Sequence, residues 1–118
     1  MYTLTYRTSF DAAHKLVGHP GRCQNLHGHT WYVDVEVQSK ILDKLGMVID
    51  FETLQKYLND ILPDHAYLNE SLALSQPTAE KIAQWVYERL DPMLNGQLKS
   101  VTIWESPHSG VRYEPEAS

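Results

Sequence analysis

The chain has 118 residues, 42% hydrophobic and 21% charged, a length that suits one domain spanning 1–118 with a core that needs no disulfide staples. A formal net charge of −5 argues against a nucleic-acid partner, which requires a basic face, and no apolar run approaches the roughly 20 residues of a membrane span. A single cysteine cannot form an intrachain disulfide and no signal-peptide pattern is visible, so a cytoplasmic location is expected.

In chain order, "YTLTYRTSF" (2–10) sets Tyr2, Leu4, Tyr6, Thr8 and Phe10 against Thr3, Thr5, Arg7 and Ser9, the alternation of a half-buried strand. "TWYVDVEVQ" (30–38) repeats it more cleanly, with Trp31, Val33, Val35 and Val37 on one face. The period changes at "DFETLQKYLNDIL", where Phe51, Leu54, Tyr57, Leu58 and Ile61 form one helical face behind an Asp50 N-cap. A second helix is predicted from Pro77 to Leu90, with Ala79, Ile82, Ala83, Val86 and Leu90 as its apolar stripe and Asp91-Pro92 as its stop. "LKSVTIWE" and "GVRYE" read as two closing strands joined by Ser-Pro-His-Ser-Gly. The expected fold is α+β in ββααββ order: a four-stranded antiparallel sheet with two helices on one face.

Chemistry concentrates in "CQNLHGHTW" (23–31). Side chains of a strand alternate, so His27 and His29 share the face of Trp31, Val33 and Val35. If the first strand runs on without a bulge, His14 has the parity of Leu4, Tyr6 and Phe10. Antiparallel pairing then brings His14, His27 and His29 to one end of the hairpin, a three-imidazole set that suits Zn²⁺ with one position open. Copper, iron or nickel accept the same donors. His19, in a Gly/Pro loop, is a rival third ligand.

Cys23 lies between the two ligand groups. It is either a small apolar side chain, a thiolate activated by a nearby cation, or the fourth ligand of a closed Cys-His₃ site. Asp64 and His65 stand side by side, a histidine whose proton affinity a carboxylate can set, or a solvated loop pair. Glu105 has the parity of Val101 and Ile103. At a strand end it reaches solvent, or, in a pocket, its two oxygens accept from an N–H rich heterocycle.

Together, "FDAAHKL", "CQNLHGHTW", "GMVIDF", "DHAYLN", "PTAEKIAQW" and "WESPHSGVRY" resemble the 6-pyruvoyl-tetrahydropterin synthase / 6-carboxytetrahydropterin synthase family over nearly the whole chain. The resemblance implies a tunnelling fold and homohexamers made of two trimers, with active sites at subunit interfaces. It implies that His14, His27 and His29 hold zinc and that Cys23 removes a proton. Asp64 and His65 correspond to the relay pair, Glu105 to the pterin anchor, and Thr78 to a threonine near the pterin. The implied substrate is 7,8-dihydroneopterin triphosphate. One branch of the family eliminates triphosphate to give 6-pyruvoyl-tetrahydropterin. The other also releases acetaldehyde and gives 6-carboxy-5,6,7,8-tetrahydropterin for queuosine synthesis. The short chain and the short Cys23-to-His27 spacing resemble the second. Lys15 and Arg22 are candidate triphosphate contacts. Pro63, Ala66 and His108 depart from the family pattern and bear on loop shape and substrate preference. A non-catalytic metal module and a pterin-binding relative without activity are the other readings.

Overall fold

Strict alternation carries the first two strands further than their most regular stretches. In the computed structural model, which describes residues 1–18, 21 and 25–116, β1 runs Tyr2–His14 and β2 runs His27–Ser39. They pair antiparallel without a slip from Tyr2↔Ser39 to His14↔His27. The unbroken register preserves side-chain parity along the hairpin. Phe10, Trp31, Val33, Val35 and Val37 are buried, while Asp11, Thr30 and Tyr32 face the other way and are exposed.

The helices cover the buried face. α1 (Phe51–Ile61) starts where Asp50 accepts a 2.8 Å hydrogen bond from the Glu52 amide, and it sends Leu54 and Leu58 inward. α3 (Ala79–Leu90) starts at Thr78, whose hydroxyl accepts from the Lys81 amide. It buries Ile82, Ala83, Val86 and Leu90 against β4 (Leu98–Ser106), which contributes Val101 and Ile103. Each of the leucine, isoleucine and valine side chains, fully withdrawn from water, contributes about 1.5–3 kcal/mol before entropy is counted. A 3₁₀ turn at Asp91–Leu94, with Pro92 in it, ends α3, and Asn95 and Gly96, both at positive φ, turn the chain into β4.

The expected sheet requires one correction. It has five strands in the order β3-β1-β2-β4-β5, with β5 at Ser109–Tyr113. The added strand is β3 (Ala66–Tyr67), which pairs parallel with Ala12 and Ala13 of β1, so the sheet is mixed rather than antiparallel. The one-turn helix α2 (Leu68–Ser71) follows it. Two residues are too few to show any alternation in sequence, which is why ββααββ omitted them. The two main helices do lie on one face.

The opposite face is polar and paired. Arg7 grips Asp34 with two hydrogen bonds of 2.7 and 2.9 Å, Trp104 Nε1 donates to the same carboxylate, and Arg112 pairs with Glu36. Trp104 lies across Gly110, its cross-strand partner in β5. A β-carbon at that glycine would come within 2.6 Å of the indole, so only glycine leaves the ring room.

Candidate active site

The end of the β1–β2 hairpin is built from the histidines that parity selected. His14 and His27 are cross-strand partners and His29 faces Ala12, so the three rings rise from one patch of the inner face. One nitrogen from each lies within 4.8 Å of the others. Trp31 walls the group, with its ring 4.3 Å from that of His29 and 4.8 Å from that of His14.

Backbone carbonyls fix the protonation pattern. His14 Nδ1 donates to Pro77 O at 3.0 Å, His27 Nδ1 to Asn25 O at 2.8 Å, and His29 Nδ1 to Thr30 O at 3.1 Å. In a neutral imidazole this leaves every Nε2 with an outward lone pair. Two of those lone pairs, on His14 and His27, face each other at 2.9 Å. The third, on His29, is buried with no hydrogen-bond partner among the described residues. Facing lone pairs repel, and a buried polar atom without a partner is costly. A cation at the centre relieves both. Three neutral imidazoles are a donor set that fits Zn²⁺. Burial favours that state, holding fully buried His14 below the ordinary imidazole pKa against the opposing pull of the Pro77 carbonyl.

Glu105 approaches the same centre. Its Oε1 lies 3.3 Å from His14 Nε2, and it also lines a cavity of about 360 Å³ with Thr78, Glu80 and His108. The parity argument placed Glu105 on the inner face. Its close approach to a histidine of the trio has no local signal, since 91 positions separate the two in the chain.

Asp64 and His65 are arranged differently. Asp64 accepts from the Asp11 amide at 2.8 Å and lies 2.9 Å from His65 Nδ1, while the His65 amide donates back to the Asp11 carbonyl at 2.6 Å. His65 is held at φ 56°, a left-handed conformation uncommon outside glycine. These hydrogen bonds keep Asp64 below the usual carboxylate range, the Asp11 amide contributing most and the His65 side chain next. Asp11 in turn accepts from Thr30 at 2.5 Å, on the face opposite the three histidines. The pair therefore stands on the edge of β1, with the His65 ring 80% exposed. His65 and His29 border one shallow depression, but no hydrogen bond among the described residues joins the pair to the trio. Nothing in the spacing of Asp11 and Thr30 marks them in the sequence.

Cys23, His19 and Arg22 lie outside the described residues. Lys15 is exposed, and its backbone is held by Asn69.

A family model described as 6-pyruvoyl tetrahydropterin synthase matches residues 3–116. A Synechocystis protein named 6-carboxy-5,6,7,8-tetrahydropterin synthase is 39% identical over 120 residues, covering 96% of this chain and 93% of the relative. A Pyrococcus furiosus protein named dihydroneopterin monophosphate aldolase is 36% identical over 113 residues, covering 94% and 96%. The solved structure of Caenorhabditis elegans 6-pyruvoyl tetrahydropterin synthase superposes with a TM-score of 0.85 at 28% identity, covering 98% of this chain and 96% of that one.

Proposed function

This chain belongs to the 6-pyruvoyl tetrahydropterin synthase family, and from that membership we propose that it is a zinc-dependent lyase. It converts 7,8-dihydroneopterin triphosphate to 6-carboxy-5,6,7,8-tetrahydropterin, releasing acetaldehyde and triphosphate, as a step toward queuosine. The observation that carries the reading is the convergence of three Nε2 lone pairs, each fixed by a carbonyl on the far side of its ring, next to a cavity that Glu105 borders.

His14, His27 and His29 would hold the zinc. Bound there, it supplies Lewis-acid polarisation of substrate oxygens. Glu105 has two acceptor oxygens at the mouth of the cavity, which suits the adjacent N–H groups of a reduced pterin. Thr78, on the same wall, fits a place beside the ring. Cys23 is assigned proton abstraction by its match to the family motif. His65, its Nδ1 tied to an ionised Asp64, keeps Nε2 for taking and returning a proton, a contribution of typically about 10²–10⁴-fold. Because the pair stands on an open strand edge, a neighbouring copy in a hexamer of two trimers is the natural place for it to act.

A second reading rests on the Pyrococcus relative, whose name specifies an aldolase and a monophosphate substrate. One experiment separates the readings. Zinc-loaded protein is incubated with dihydroneopterin triphosphate and, separately, with the monophosphate, and the products are identified by mass spectrometry. Acetaldehyde with the carboxypterin is expected from the triphosphate. A pyruvoyl pterin moves the chain to the other synthase branch, and cleavage of the monophosphate alone moves it to the aldolase. With neither substrate consumed, the enzymatic reading fails. Cys23→Ala should abolish turnover with zinc content unchanged. Loss of zinc in that variant would identify the closed Cys-His₃ site instead.

A further inference from the structure

Beyond His14 the hairpin partner is gone, because β2 begins at His27, yet the chain stays tethered along its other edge. Along an extended strand, every second residue directs its N–H and C=O to the same side. On β1 and its continuation, those positions are 11, 13, 15 and 17. Asp11 is met there by Asp64 and His65, and Ala13 pairs with Tyr67 of β3. At Lys15 and Val17 no strand is available, and two side-chain amides take its place. Asn69 accepts from the Lys15 amide at 2.9 Å and donates to the Lys15 carbonyl at 2.8 Å. Gln76 does the same at Val17, with both bonds at 2.8 Å. A primary amide sets its C=O acceptor and one of its two N–H donors side by side in one plane, matching the N–H and C=O that one strand residue turns to a neighbour, so each mimics one rung of a ladder.

The same segment serves the rest of the site. Asn69 also reaches the Ser75 carbonyl, Pro77 orients His14 through its carbonyl, and Thr78 caps α3 beside the Glu105 cavity. We propose that Asn69 and Gln76 are positioning residues for the reaction: by holding Lys15 and Val17 in register with the His14 strand, they fix the point from which the connection carrying Cys23 leaves the metal centre. The inference rests on the enzymatic reading above, in which Cys23 is the base. A displacement of about 1 Å at a reacting group can cost up to roughly 100-fold in rate. Neither amide touches a metal ligand's coordinating nitrogen, so their loss acts on catalysis through geometry.

Gln76→Ala is the main test, because Gln76 is exposed and its truncation leaves no buried cavity; Asn69→Ala is the second variant. In the zinc-loaded protein, each should keep its full zinc content and leave KM within about twofold while kcat falls by about 10- to 100-fold. The rate at which iodoacetamide alkylates the chain's only cysteine, measured without substrate, should change by about threefold or more. Gln76→Glu keeps the acceptor for Val17 N but sets a carboxylate against Val17 O, so it should resemble the alanine variant. Unchanged kcat and alkylation in the Gln76 variants overturn the proposal. So does a loss of kcat only in step with zinc content and melting temperature. An inactive wild-type protein overturns the reaction rather than the clamp, since the alkylation rates still report whether the amides govern the thiol.

Discussion

His14 is the residue on which the site's acid sensitivity turns. Its ring is fully buried, and its folded-state pKa lies below the ordinary value, chiefly through desolvation. The unfolded chain therefore binds a proton at that ring before the folded one does. In metal-free protein, His14's contribution to stability is complete above a pH of about 6.5 and is lost as the pH falls through the lowered folded value. Thermal melts of the metal-stripped protein should thus show a midpoint that declines below about pH 6.5, and His14→Gln should flatten that decline. An unchanged profile in the variant would assign the acid sensitivity elsewhere. At this scale much was legible beforehand. Parity alone gathered His14, His27 and His29, because an unbulged hairpin leaves side chains no other face to choose. The carbonyls of Pro77, Asn25 and Thr30 were not legible, since no pattern in sequence announces a backbone acceptor brought in by folding. Nor was the left-handed turn at His65, whose amide bonds the Asp11 carbonyl 54 positions away.

The two main helices differ in what their caps do. Asp50 caps α1 at the end of the molecule remote from the histidines, whereas Thr78 caps α3 and also lines the Glu105 cavity. Replacing either by alanine should cost about 1 kcal/mol, read as a drop in denaturation midpoint. Only Thr78→Ala should also raise KM for the pterin substrate, while Asp50→Ala leaves it as it was. Equal kinetic effects would remove Thr78 from the pterin contact. The Asp50 cap could be placed from sequence because a short polar side chain before an apolar 3.6-residue period is a strong start signal. The parallel strand at Ala66–Tyr67 could not, and it is the element that seats Asp64 and His65 against β1. Its pairing depends on contact between residues more than 50 positions apart, where local propensity carries no information.

As a whole the molecule is longer than its chain length requires. Its radius of gyration is 15.1 Å, against roughly 13.5 Å for a single domain of this size, and its extents are 50 × 31 × 26 Å. The thirteen-residue arms of the β1–β2 hairpin account for the elongation. From Tyr2 to Phe10, β1 has no strand on its outer edge among the described residues, and β5 ends the sheet on the other side. Open edges of this length are usually covered. At the far end, exposed Tyr2, Leu42, Met47 and Phe51 border a depression of about 550 Å³, the kind of apolar surface that association removes from water.

The seating of Asp64 and His65 on a strand edge, away from the nitrogens that converge beneath the sheet, has a genetic consequence. If the Asp64–His65 pair of one copy serves the three histidines of a neighbour, as proposed above, the two groups need not come from the same molecule. His29→Ala and His65→Ala, each inactive alone, should regain measurable turnover when denatured together and refolded as a mixture, because some junctions then receive one intact half from each parent. Absence of recovery would mean that each polypeptide completes its own centre. With recovery, two differently damaged alleles in one cell would do together what neither can do singly.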